Sequence, residues 1–367
     1  MGSTALQVHG ERLGAARLSD YRGATTAASF TDPQTEFSAL REGCGVYDLG
    51  FRSKLSLTGG DRVRWLNGMV TNNIRDLAAG QGVYAFLLNP QGHILGDLFA
   101  YNRGESITVD TDRSQVEKIL GTFDHYIIMD DVEVTNLGEQ LTALGIAGPK
   151  AHEVLVASGF NVPELRPLQF ASTSWRGTDC TLARSVDDDH VSFEIWLAPE
   201  RARQLWDALV EAGGTPVGSE ALELARIVSG IPRYGVDIRE KDLPQETEQA
   251  RALNFNKGCY VGQEIVERIR SRGAVHRKFT GFVADGAVPI EPGAKIVANQ
   301  KEVGEITSAA SLQLAGGEKT VALGYIRREV GVPGREVLIG TIKATAVQLP
   351  VQESILMAES SLEHHGA

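Results

Sequence analysis

The chain has 367 residues, 42% of them apolar, and a formal net charge of −11. That length exceeds one hydrophobic core and calls for two or three domains, while the negative charge disfavours non-specific nucleic-acid binding, which rests on neutralising phosphates. No apolar run approaches the roughly eighteen residues of a membrane span and the start of the chain lacks a secretion signal's apolar block, so a cytoplasmic protein without membrane contact is expected.

In chain order, residues 1–30 are rich in Ala, Gly, Ser and Thr and read as a loosely held N-terminal arm. Alternating patterns predict strands over 54–58, 83–88, 106–110, 126–135 and 191–197. Helical periods fit 61–66, 113–123, 150–158, 199–212 and 219–228, several of them opening on Asp, Ser or Pro. Between Gly82 and Tyr101, two strands joined by a turn at Asn89–Gly92 form a hairpin by their turn chemistry. Past Gly273 the texture changes to short β segments over 279–284, 295–298, 303–308, 321–326 and 336–349, divided by Gly and Pro turns. The pattern is that of an α+β body, antiparallel sheets with helices packed on them over 31–273, followed by a small C-terminal β-barrel over 274–352 and a peripheral tail over 353–367.

Nucleotide-binding glycine motifs are absent, and the eight histidines are scattered, so no metal site is expected. Cys44, Cys180 and Cys259 are odd in number, far apart and without Cys-x-x-Cys spacing, as in a protein whose thiols stay reduced. Cys259 lies in the run Lys257-Gly258-Cys259-Tyr260-Val261-Gly262-Gln263-Glu264, before Ile265, Val266 and Ile269 at helical spacing. A cysteine beside Lys257 at a helix N-terminus is a setting for a nucleophilic or redox-active thiol; the alternative is a buried, inert thiol in a tight turn. Residues 257–278 also carry Lys257, Arg268, Arg270, Arg272, Arg277 and Lys278 against Glu264 and Glu267, a basic stretch suited to an anionic ligand or to a solvated helix face. Asp97 sits among apolar neighbours in the second hairpin strand, where a carboxylate is costly unless paired or used. Glu246, after Pro244-Gln245, is a carboxylate able to accept paired hydrogen bonds from an amino-heterocycle, or a plain surface residue.

Taken together, the hairpin, the Ala147-Gly148-Pro149-Lys150-Ala151 turn, the Tyr234-Gly235-x-Asp237 to Glu246 segment and Val303-Gly304-Glu305-Ile306-Thr307-Ser308 resemble the folate-binding family of the glycine-cleavage T-protein (aminomethyltransferase, GcvT) and YgfZ. The likeness spans roughly residues 30–350, and the Lys257 to Glu264 run resembles the YgfZ branch specifically. The resemblance implies an aminomethyltransferase-like folate-binding fold, two interleaved subdomains within 31–273 plus the barrel, with tetrahydrofolate in a central channel. By the same likeness Glu246 would hold the pterin, Tyr84 and Tyr234 would line the pocket, Arg226 would support it, and Asp97 would face the reactive folate nitrogens. Two departures stand out. Gly96-Asp97 replaces the Asp-Asp pair of T-proteins, and Asp110 stands where they usually carry asparagine.

The leading expectation is a tetrahydrofolate-binding protein supporting [4Fe-4S] cluster assembly or repair. Cys259 would be its key thiol, Lys257 and Asp97 would stand in the reactive set, and iron–sulfur client or assembly proteins would be partners. The alternative is a tetrahydrofolate-dependent aminomethyltransferase working on a lipoyl carrier protein, needing Asp97 and no thiol. A third reading is a folate-binding scaffold with no chemistry of its own.

Overall fold

The computed structural model describes residues 2–7, 14, 17–186, 191–273, 275–314 and 317–351. The expected tail over 353–367 lies outside them. Two compact units emerge. The first comprises the chain up to Pro90, Leu95–Leu222 and Arg251–Gln263; the second comprises Gln91–Ile94, Glu223–Ala250 and what is described from Glu264 onward.

In the first unit the chain begins with β1 (Gly2–Ser3), β2 (Arg17–Tyr21) and β3 (Ala24–Ser29), a three-stranded sheet of order β1-β3-β2 where a loose arm was expected. Ala24, Ala27 and Ala28 are buried, so small side chains here serve close packing rather than looseness. Helix α1 (Pro33–Glu42) starts where the Asp32 side chain accepts from Thr35 N–H and Pro33 presets the first turn. There follow β4 (Gly45–Asp48), β5 (Arg52–Thr58), α2 (Arg62–Met69), β6 (Gln81–Leu88), β7 (Ile94–Asn102), β8 (Ile107–Asp112), α3 (Val116–Tyr126) and β9 (Glu133–Asn136). Strands in the order β6-β7-β8-β5-β9 make a five-stranded sheet. Its apolar face carries Leu55, Leu57, Leu87, Leu98 and Ala100, which share a core with Trp65 and Leu66 of α2 and Ile119 and Phe123 of α3. The strand expected over 126–135 is corrected: α3 runs to Tyr126, and only Glu133–Asn136 pairs.

The remaining elements of this unit are β10 (Thr142–Ala147), α4 (Ala151–Ala157), β11 (Phe170–Trp175), β12 (Thr178–Arg184), β13 (Ser192–Leu197), α5 (Pro199–Glu211) and β14 (Thr215–Val217). They form a six-stranded sheet, β11-β12-β13-β10-β4-β14, in which Leu144, Ile146 and Ile195 share a core with Leu155 of α4 and Leu205 and Trp206 of α5. Helix α6 (Ser219–Val228) carries the chain out of the first unit and α7 (Gln263–Arg272) does so again.

The second unit is dominated by β15 (Arg277–Asp285), β16 (Lys295–Ala298), β17 (Lys301–Leu314), β18 (Gly317–Arg327), β19 (Glu336–Ile339) and β20 (Ile342–Val347), closed into a barrel of order β15-β18-β17-β16-β19-β20. Closure removes exposed sheet edges. Phe282, Ile296, Ile306, Ile326, Ile339 and Ala346 fill the interior. The segment expected as one strand over 336–349 is a hairpin, β19 paired antiparallel with β20. The α+β body with a C-terminal barrel is thus as expected.

Candidate functional site

In the first unit the hairpin of β6 and β7 presents the chemistry. Along β7 burial alternates, so Leu98 and Ala100 enter the core while Asp97 and Phe99 share the other, half-buried face. The Tyr84 hydroxyl on β6 donates to Asp97 Oδ2 at 2.7 Å. Gln115, at the end of the turn leading into α3, donates from Nε2 to Asp97 Oδ1 at 2.7 Å and accepts the Asp97 N–H on Oε1 at 2.9 Å. Both carboxylate oxygens are thereby oriented. The Tyr84 ring packs 5.0 Å from Phe99 and lies 5.4 Å from the Arg251 guanidinium.

Burial pushes the Asp97 carboxyl above its ordinary value, and the nearby Asp112 charge adds to this; the Gln115 and Tyr84 bonds and the Arg52 charge oppose it. Burial and the Asp97 charge raise Tyr84 far above a free phenol, so it stays a proton donor in the hydrogen bond. The result is a carboxylate able to hold a proton closer to neutrality than an exposed aspartate.

Behind this pair lies a buried charge network absent from the sequence reading. Lys54 Nζ meets Asp110 Oδ1 at 2.7 Å, and Arg52 reaches Asp110 Oδ2 at 2.9 Å and Asp112 Oδ1 at 2.8 Å. Burial would raise the Asp110 carboxyl, but the Arg52 and Lys54 charges outweigh it and hold it below the ordinary value. Asp110, one of the departures, is therefore an ion-pair partner.

Lys257 and Cys259 differ from expectation. Helix α7 begins at Gln263, so Cys259 lies in the loop before it, with Gly262 at φ 81° preceding the first turn. Cys259 is exposed, whereas Cys44 and Cys180 are buried; burial pushes the Cys44 thiol up to about 12. Lys257 is buried and donates to three main-chain carbonyls, of Asn67 and Val70 at 2.5 Å and of Asn72 at 2.8 Å. It pins the loop rather than pairing with the thiol. Burial and the Arg75 charge pull the Lys257 ammonium down to about 7, against which the three carbonyl acceptors work. Among the described residues no group of His, Cys, Asp and Glu is arranged to hold a metal.

In the second unit, Arg226 on α6 donates to Asp237 Oδ2 and to the Ile231 carbonyl, both at 2.7 Å, and to Ser308 Oγ at 3.0 Å. Fully buried Asp237 also accepts from Thr307 and Ser308 of β17. Arg226 thus ties the loop after α6 to the barrel. Half-buried Tyr234 lies in that loop, bridged to Ile238. Glu246 sits in a short 3₁₀ turn, Pro244–Thr247, and is gripped by Arg277 of β15: Nε donates to Oε1 and Nη2 to Oε2, each at 2.9 Å, while Leu243 N–H also donates to Oε2. The same guanidinium donates to buried Asp242 at 2.7 Å and lies 4.7 Å from the Tyr325 ring centroid. A cleft of about 350 Å³ beside it is lined by Leu243, Glu246, Ile269, Val275, His276 and Arg268. Sequence reasoning missed Gln115, Arg52 and Lys54, and saw Arg277 only as part of a basic run.

The family model for the GCVT N-terminal domain matches residues 8–257, and that for the glycine cleavage T-protein C-terminal barrel domain matches residues 277–353. An aminomethyltransferase of Rubrobacter xylanophilus is 30% identical over 341 residues, covering 91% of this chain and 90% of that protein. One from Halothermothrix orenii is 28% identical over 359 residues, covering 94% and 98%, and a putative chloroplastic transferase of Arabidopsis thaliana is 26% identical, covering 85% and 72%. The crystal structure of the glycine cleavage system aminomethyltransferase T of Bartonella henselae superposes with a TM-score of 0.86 at 23% identity, covering 96% of this chain and 98% of that one.

Proposed function

This chain belongs to the glycine cleavage T-protein family, and from that premise we propose that it binds tetrahydrofolate and transfers a one-carbon unit to it as an aminomethyltransferase does. The observation that carries the reading is the Asp97 carboxylate, held between the Tyr84 hydroxyl and the Gln115 amide. Bound tetrahydrofolate would supply the nitrogens that receive the one-carbon unit. The first unit's residues fit that group: an oriented carboxylate with a raised proton affinity suits acid–base work on an amine, and the Tyr84 ring offers a flat face with a polar tip. In the proposed reaction Asp97 takes up and returns a proton at a carboxylate oxygen, and Tyr84 keeps Oδ2 oriented without losing its own proton. The missing second acid at Gly96 leaves this role with Asp97 alone.

Glu246 does not fit the pterin-holding role. With both oxygens on Arg277 and a third bond from Leu243 N–H, it has about one acceptor site left of a carboxylate's four. The reading therefore assigns Glu246 to the architecture of the second unit, and Arg226 likewise through Asp237.

One observation favours a second reading. Cys259 is exposed while the other two cysteines are buried, and its loop is pinned by Lys257; such a thiol suits a folate-binding protein of the YgfZ kind that supports [4Fe-4S] assembly through iron–sulfur client or assembly proteins. Cleavage of aminomethyl-lipoyl carrier protein in the presence of tetrahydrofolate separates the two. Turnover that disappears in Asp97→Asn and persists in Cys259→Ser is the expected result. No turnover, together with failure of Cys259→Ser to restore cluster-enzyme activity in cells lacking this protein, would overturn it in favour of the second reading.

A further inference from the structure

We propose that Gln115 is the positioning residue for Asp97, and that position 96 is glycine because the Gln115 amide occupies the space a side chain there would take. The proposal deepens the reading of Asp97 as the working carboxylate and rests on it for its functional meaning.

Gln115 ends the 3₁₀ turn Arg113–Gln115 and is buried to 2% exposure. This place demands one donor and one acceptor, and an uncharged amide supplies both. Its N–H faces the Asp97 carboxylate oxygen at 2.7 Å, and its oxygen faces the Asp97 main-chain N–H at 2.9 Å, so carboxylate and backbone of one residue are held by one side chain. A carboxylate at 115 would turn an acceptor toward an acceptor, and an apolar residue would leave both Asp97 groups short of a partner.

Gly96 completes the device. A Cβ built there would stand 3.1 Å from Gln115 Oε1 and 3.6 Å from Ile119 Cγ1, tighter than ordinary contact with the amide. A Cβ at 96 therefore requires the Gln115 amide to give by a few tenths of an ångström, which loosens its hold on Asp97. Asp97 is thus served by a neutral clamp with a glycine beside it. Other groups also act on Asp97: Tyr84 from β6, Arg52 from β5 and Asp112 from β8, the last working against ionisation. Gln115 offsets that effect by donating to the ionised form.

The test titrates Asp97 in the free protein by carboxyl ¹³C NMR, with the resonance assigned by its loss in Asp97→Asn. Wild type, Gln115→Leu and Gly96→Ala are compared, with their thermal melting followed alongside. Loss of a charge-assisted bond predicts an upward shift of about one to two units in Gln115→Leu and a smaller upward shift in Gly96→Ala, which retains the glutamine. In the transfer assay the acidic limb of the pH profile moves by the same amount, with KM for tetrahydrofolate unchanged. Asp97 titrating within about half a unit of wild type in both folded variants would overturn the proposal. Because the titration needs neither folate nor turnover, a wild type without transfer activity would refute the functional reading while leaving the clamp to stand or fall on the NMR alone.

Discussion

Replacing Asp110 by asparagine is expected to harm the protein. Asp110 is fully buried and Lys54 is 1% exposed, their charged atoms 2.7 Å apart. In Asp110→Asn, Arg52 keeps Asp112 as a partner, but Lys54 loses its carboxylate and retains only an amide oxygen and the Trp196 ring 4.7 Å away. Breaking a buried pair from one side costs about 3–5 kcal/mol, and the remaining amide acceptor places this case near about 3. For a unit of this size that lowers the melting temperature by about 6–12 °C. The pH dependence has a definite sign. Because Asp110 is held below its ordinary value in the folded state, its contribution is fully present above the unfolded pKa and is lost as pH falls through the folded one. The stability gap between wild type and variant, read by urea unfolding followed by tryptophan fluorescence, should therefore be flat from about pH 8 to about pH 5 and close only in more acid solution. Adding Lys54→Met should recover at least half of the loss, since the orphaned charge is then gone. A loss under about 1 kcal/mol in Asp110→Asn, or no recovery in the double variant, would refute the account.

Three further outcomes follow from the same geometry. An aromatic disulfide reagent at neutral pH should label Cys259 alone in the native protein, with Cys44 and Cys180 reacting only after denaturation, because burial raises both thiols; rapid labelling of all three would contradict the burial. Arg277→Met strips Asp242 and Glu246 of their shared cation and should destabilise the second unit by about 3 kcal/mol, seen as faster hydrogen exchange in the barrel strands, whereas unchanged exchange would show the pairing to be idle. Lys257→Met leaves the carbonyls of Asn67, Val70 and Asn72 without their donor; exchange at the Val261 amide, bonded to the Gly68 carbonyl, should quicken by an order of magnitude or more, and wild-type protection there would rule out the pinning role.

How far the sequence revealed this depends on whether each signal is local. The hairpin was legible because Asn89–Gly92 is turn chemistry between two apolar runs, and α5 because Pro199 opens a strongly periodic segment. Strand β10 was not, since Thr142–Ala147 is buried on both faces and shows no alternation. The misread segment 126–135 includes Ile128 and Met129, apolar residues that imitate a strand but are 82% and 93% exposed. At the site, Asp97 stood out by residue type and strand position and Tyr84 by the family likeness, and the structure joins them directly. Gln115 carried no signal: one glutamine before a helix has no pattern, and its partner is 18 residues away. Lys257 and Glu246 were found as residues, but their partners, the carbonyls at 67–72 and Arg277, are non-local and nothing in spacing announces them.

The central claim is that Asp97 does acid–base work on a folate-borne one-carbon unit. Its most direct test is aminomethyl-lipoyl carrier protein turnover with tetrahydrofolate, measured for wild type and Asp97→Asn on preparations whose folate affinity is determined by calorimetry. The account predicts that both bind tetrahydrofolate with similar affinity while the variant loses at least about a hundredfold in kcat. Equal turnover by the two proteins, or binding without any turnover by the wild type, would contradict it.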